Sequence, residues 1–294
     1  MIRVPQEDSV SSLGQLPKPL SRAAHRLRAD LNEHTPSLVH LVERLALAAV
    51  HDFPVLLTGE TGTGKTMLAR LIHGHSARRR HRFMAVPCAA FAPGLLEAEF
   101  FGHARGAFTG AAHARMGRFA AVGAGTLLLD EVDTIPLDRQ ASLLRVVETG
   151  EFEPVGSDET RCCRARIIAA SNWQLEECVA NGAFRRDLYY RLNLLSFHLP
   201  PLRERAEDIA PLACHFAARF SAKYCKPAPA LHSKTLEVLR NFPWPGNIRQ
   251  LENAIHQAIV MCQGSEVFPE HLPALGGPRI TISNVAPPRA AIDA

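Results

Sequence analysis

Residues Gly59-Glu60-Thr61-Gly62-Thr63-Gly64-Lys65-Thr66 fit the pattern G-x-x-x-x-G-K-[ST] in full. An apolar run, Pro54-Val55-Leu56-Leu57-Thr58, precedes them and a helical pattern, Met67-Leu68-Ala69-Arg70-Leu71-Ile72, follows. This is the strand-loop-helix setting of a phosphate-binding loop. Its glycines let the backbone wrap around phosphate oxygens, and the next helix offers unpaired N–H groups and the positive end of its dipole. Lys65 is expected to neutralise the β/γ-phosphates of a nucleotide, and the Thr66 hydroxyl to ligate Mg²⁺.

About sixty residues on, Thr126-Leu127-Leu128-Leu129-Asp130-Glu131 is an apolar strand ending in two acids. With a phosphate loop upstream, Asp130 is expected to support the Mg²⁺ shell and Glu131 to activate water as general base. A further strand, Ala165 to Ala170, ends at Ser171-Asn172, where Asn172 is either a polar group facing the γ-phosphate or a turn former. Phe184 to Leu192 carries Arg185, Arg186 and Arg191. Such a cluster is either a solvated face or a source of fixed charge for phosphoryl transfer.

Around these motifs the chain divides by composition. Residues 1–35 are rich in Pro, Ser and charge, with one short helix expected over Ser21 to Asn32; the rest is expected to be partly disordered. Residues 36–200 carry five strand patterns alternating with helices, giving an α/β class, and Pro200-Pro201 closes them. Residues 201–275 turn helical, in stripes such as Ile209, Leu212, Ala213, Phe216 and Phe220. The turn Pro243 to Asn247 leads into the last helix, with Asn247 expected as its N-cap and Arg249 in its first turn. Residues 276–294 are rich in Pro, Gly and Ala and are expected to be disordered. The run Arg78 to Arg82 reads as a solvated loop rather than a nucleic-acid patch.

Charge and cysteine content exclude some classes. Seven cysteines without a C-x-x-C pair argue against a disulfide framework and a zinc ribbon. No apolar run reaches membrane-spanning length and no signal-peptide pattern opens the chain, so a cytoplasmic location without membrane contact is expected. A net charge of +4 permits contact with nucleic acid without requiring it.

Gly106-Ala107-Phe108-Thr109-Gly110-Ala111 reads equally as a flexible loop with an apolar tip and as a turn facing the core. Five strands, a phosphate loop, an acid pair, an arginine cluster and a helical lid together look like an AAA+ ATPase: a five-stranded parallel sheet sandwiched by helices, then a small all-α lid. The loop's sequence GAFTGA, with Phe101-Gly102-His103 before it and Gly117-Arg118-Phe119 after, resembles the sigma-54 activator (bacterial enhancer-binding protein) family. So do Leu199-Pro200-Pro201-Leu202-Arg203-Glu204-Arg205 and Trp244-Pro245-Gly246-Asn247-Ile248-Arg249. The resemblance runs from about Pro36 to about Leu275.

It implies ATP and Mg²⁺ at Gly59 to Thr66 with Asp130, a sensor role for Asn172 and a second sensor at Arg249. It implies that Arg185 and Arg191 are arginine fingers reaching a neighbouring subunit's nucleotide, in a homo-hexamer or a mixed ring. Gly106 to Ala111 would engage sigma-54 RNA polymerase, and Val155 to Arg164 would be a second pore loop. The function implied is ATP-driven remodelling of the sigma-54 closed complex. Three departures stand out. Pro87 occupies the place of an Asn that restrains the catalytic Glu, so looser coupling of hydrolysis to target binding is expected. Thr66 replaces the family's usual Glu and leaves Mg²⁺ binding as expected. Nothing in the 19 residues after Leu275 (294 minus 275) can form a helix-turn-helix, so contact with DNA is expected to be indirect. Two rivals follow: an ATP-binding regulatory subunit that joins rings of a complete activator with little hydrolysis, and an AAA+ motor acting on other proteins or on DNA.

Overall fold

The structure, a computed structural model, describes residues 17–91 and 93–273; the expectations for the first sixteen residues and for 276–294 lie outside these. Five parallel strands form the central sheet: β1 (Val55–Thr58), β2 (Phe83–Pro87), β3 (Thr126–Asp130), β4 (Arg166–Ser171) and β5 (Leu195–His198). Their order is β2-β3-β4-β1-β5, so the phosphate-loop strand lies beside β4 and the chain crosses over the sheet between neighbours. β1 and β4 are buried along their whole length, which explains the apolar runs Val55 to Leu57 and Ile167 to Ala170 within them.

Strand side chains alternate between faces, and that divides the core in two. Leu56, Leu127, Leu129, Ile167 and Ala169 pack on one face with Phe100, Phe101, Phe119 and Phe152. Val55, Leu57, Leu128, Ile168 and Ala170 pack on the other, against α1 (Lys18–His34), α2 (Val42–Val50) and α3 (Lys65–Gly74).

Helix α1 precedes the boundary expected near residue 35 and still packs on the α/β layer: its Leu20, Ala23, Ala24, Leu27 and Leu31 are buried in the same cluster as β1 and β4. Arg78 also departs from the solvated-loop reading. Its guanidinium pairs with Asp52 at 3.0 Å and donates to the carbonyls of Ala124 at 2.6 Å and Arg164 at 2.7 Å, stapling loops at the lower edge of the sheet. All seven cysteines are thiols without disulfide partners.

The lid is a separate core of three helices, α7 (Ala206–Lys223), α8 (Ser233–Asn241) and α9 (Asn247–Met261). Trp244 is fully buried at its centre, with Nε1 donating to Leu239 O at 2.7 Å. Helices α4 (Pro93–Phe101), α5 (Leu137–Thr149) and α6 (Arg186–Leu192) complete the α/β layer. Two short antiparallel pairs project from it: Gly102–His103 with Arg115–Met116, and Glu151–Phe152 with Arg161–Cys162.

Candidate active site

The phosphate loop follows β1, and α3 begins at Lys65 itself. Two of its glycines are obligatory. A Cβ at Gly59 would lie 2.4 Å from Leu199 O, and one at Gly62 would lie 2.6 Å from Gly246 O, with both residues at positive φ. Lys65 is buried, and its Nζ donates to Gly59 O at 2.7 Å, Glu60 O at 3.0 Å and Asn172 Oδ1 at 2.9 Å. Those three acceptors use all three ammonium protons, so phosphate oxygens arriving here must displace at least one. Burial lowers the Lys65 pKa, and the carboxylates of Asp130, Asp133 and Glu131 oppose that shift.

The acid pair sits where β3 ends. Asp130 accepts the Thr66 hydroxyl at 3.2 Å through Oδ2 and the Glu131 N–H at 3.1 Å through Oδ1. Glu131 has φ 59°, a left-handed conformation uncommon outside glycine and often found at functional sites. Asn172 then joins acid to base: its Oδ1 takes Lys65, and its Nδ2 donates to Glu131 Oε1 at 3.2 Å. Its backbone N–H is held by Asp133 Oδ1 at 3.1 Å, a buried acid that strand-end reasoning had not singled out. Pro87 lies opposite Asp130 in the strand register. It ends β2, an edge strand, where the missing N–H is tolerated.

Lys65, Thr66, Asp130, Glu131, Asn172 and Arg249 all line one cleft of about 350 Å³ between the α/β layer and the lid. The lining also includes His34 from the end of α1 and His215 from α7, neither singled out in the sequence, with Leu212 and Phe216 of the apolar stripe beside them. The His34 and His215 rings lie 4.0 Å apart, and burial lowers the His215 pKa, with the nearby His34 and Arg219 acting in the same direction.

Two residues at the phosphate loop direct their side chains between loop and lid, and for Asn247 this corrects the expected N-cap role. The Glu60 carboxylate takes Arg203 at 3.0 and 2.7 Å and Asn247 Nδ2 at 3.1 Å, and the Arg203 hydrogen bonds lower its pKa. Asn247 makes no capping hydrogen bond, because Gly246 is the N-cap of α9. Instead Asn247 is fully buried with φ 51°; its Oδ1 accepts Leu202 N–H at 2.8 Å, and its Nδ2 reaches back to the phosphate loop.

Arg185 and Arg191 lie outside their own chain's cleft. Arg185 pairs with Asp187 at 2.7 Å, and Arg191 with Glu148 at 2.8 Å, all four partly exposed. Asp187 holds the Arg185 pKa above its ordinary value. The Gly106 to Ala111 loop resolves into a tip resting on a base. Ala111 is buried, while Phe108 is 36% exposed, with its ring centroid 5.0 Å from that of His103. The second loop carries it from the side: His103 and Val155 form a parallel bridge, Ala104 N donates to Val155 O at 3.0 Å, and Val155 N to Gly102 O at 2.9 Å.

Comparison with known proteins gives the family. The sigma-54 interaction domain matches residues 31–198, more than half of the chain, and the AAA+ ATPase lid domain matches residues 203–277. The chain belongs to the sigma-54 interaction domain family. Among relatives, it is 44% identical over 255 residues to the alginate biosynthesis transcriptional regulatory protein AlgB of Pseudomonas syringae pv. tomato, covering 85% of this chain and 57% of that one. It is 45% identical over 240 residues to the regulatory protein AtoC of Escherichia coli, covering 82% and 52%. The chain thus spans about half the length of these relatives. Among solved structures, NtrX of Brucella abortus in complex with ADP superposes with a TM-score of 0.73 at 29% identity, covering 87% of this chain and 60% of that one. The five-stranded sheet with its helical lid is therefore an AAA+ fold in a sigma-54 activator lineage. Among the described residues no helix is long and apolar enough to cross a membrane.

Proposed function

We propose that this chain hydrolyses ATP in the cleft between the α/β layer and the lid, and transmits the resulting motion through Gly106 to Ala111 to sigma-54 in the RNA polymerase closed complex. One observation carries the chemistry: Asn172 connects Lys65 to Glu131 within hydrogen-bonding distance, beside the Thr66–Asp130 pair. A γ-phosphate that draws Lys65 and Asn172 towards itself loosens the hold on the Glu131 carboxylate. Glu131 then takes a proton from water as the water oxygen bonds to the γ-phosphorus and the bond to the β-bridging oxygen breaks, leaving ADP and phosphate. Thr66 and Asp130 are oxygen donors suited to Mg²⁺, which when bound neutralises phosphate charge. The exposed Arg185 and Arg191 suit a role across a subunit boundary in a hexameric or mixed ring, once released from Asp187 and Glu148. Such a protein works in the cytoplasm with its polymerase, and DNA is met through that partner.

The deciding experiment is capture of sigma-54 by the purified chain in the presence of ADP and a metal-fluoride mimic of the transferring phosphoryl group. Capture that needs both the mimic and Phe108 supports the reading; no capture refutes it. Pro87 favours a second reading, a regulatory subunit that binds ATP without efficient turnover, because its side chain offers Glu131 no hydrogen bond. Phosphate release by the chain alone separates the two. Pro87→Asn is expected to make turnover depend more strongly on added sigma-54, and equal rates in variant and parent with and without sigma-54 would count against looser coupling.

A further inference from the structure

Every carbonyl from Gly59 to Gly64 has a donor. Lys65 takes Gly59 and Glu60, and Leu68 N–H takes Gly64 O at 3.0 Å. The three in the middle are held by the lid and its linker: Thr61 O by Asn247 Nδ2 at 3.0 Å, Gly62 O by Ile248 N–H at 2.9 Å, and Thr63 O by Arg205 Nη1 at 3.1 Å. A peptide plane whose C=O is fixed in one direction points its N–H in the other, so holding these carbonyls sets where the loop's donors face. Glu60 adds a handle on the same side, gripped by both Arg203 nitrogens and by Asn247. Asn247 tolerates φ 51° because a short amide side chain is among the few that do, and that backbone aims its amide at the loop.

We propose that Arg203 and Asn247 are positioning residues for the nucleotide: they hold the phosphate loop in its receiving shape, so lid docking and phosphate binding are one linked equilibrium. This rests on the ATP cleft proposed above. By reciprocity, a lid that lets go weakens nucleotide binding by the same factor by which bound nucleotide tightens the lid. The Glu60–Arg203 pair is the exchangeable part of the grip, with side chains 43% and 46% exposed, whereas Asn247 is its buried part.

The test measures the dissociation constant of a fluorescent ADP on the full chain, with circular dichroism confirming the fold. Arg203→Glu and Glu60→Arg are each expected to weaken ADP at least tenfold, and the Glu60→Arg/Arg203→Glu double variant to return within threefold of the parent. A purely structural role would lower the melting temperature without that reciprocal recovery of affinity. Should Arg203→Glu fail to fold, Arg203→Gln is expected to weaken ADP at least threefold. Folded single variants that bind ADP as the parent does, or a double variant that recovers nothing, overturn the proposal while leaving the ATP cleft intact. A parent that binds no ADP removes both.

Discussion

Lys65 spends its three protons on the protein itself, so its removal has two effects. Lys65→Ala takes away the phosphate's counter-charge and also leaves Gly59 O and Asn172 Oδ1 without their donor, while Glu60 O keeps the Thr63 hydroxyl at 2.8 Å. Nucleotide affinity is expected to fall at least a hundredfold by calorimetric titration. Glu131→Gln keeps the Asn172 contact but not the base; it should bind ATP like the parent while phosphate release falls roughly 10²–10⁴-fold. Glu60 gives a pH signature. Arg203 holds its pKa below the ordinary 4.5, so its contribution to lid docking is complete above that value and is lost as pH falls through the lowered one. Arg203→Gln should flatten that acid limb in a melting-temperature series. The phosphate loop and acid pair were legible because local sequence alone fixes them: a strand, glycines and a lysine in order. Asn247 was misread because the short polar side chain that makes Asn a common helix cap also suits it to a left-handed bridge, and its partner Thr61 is 186 residues away.

At the scale of elements, strand runs and helix stripes matched the fold because buried parallel strands and amphipathic helices carry their burial in their periodicity. Composition left open whether Phe108 faced the core. Phe108 is partly exposed on the His103 ring, and His103 is in turn held to the second loop by a backbone bridge that side-chain patterns do not encode. Gly156, at φ 74°, would set a Cβ 2.8 Å from Ala107 Cβ. Gly156→Val should therefore displace the tip and cut transition-state capture of sigma-54 at least fivefold, while phosphate release without sigma-54 stays within threefold of the parent. Loss of both activities would mean that the loops and the cleft are not separable.

For the whole molecule, the proposed role of Arg185 and Arg191 across subunits makes a mixing experiment informative, because neither lines its own chain's cleft. Arg185→Ala or Arg191→Ala alone should lower turnover on the order of a thousandfold. Mixing either with Lys65→Ala subunits, whose arginines are intact, should restore a measurable fraction; turnover within threefold of the parent for both single variants would refute a role across subunits. The Pro- and Ser-rich lead-in hid how much of the helix at Lys18–His34 is buried. Leu27 is fully buried in α1, and Leu27→Ala should cost about 2–5 kcal/mol, read from denaturant unfolding. That helix begins at Lys18 and ends at His34, on the wall of the cleft. Seventeen residues make a rod about 25 Å long, packed along one side against α2. Substitutions along the buried stripe of this helix should therefore be felt at its far end, in the position His34 takes on the cleft wall.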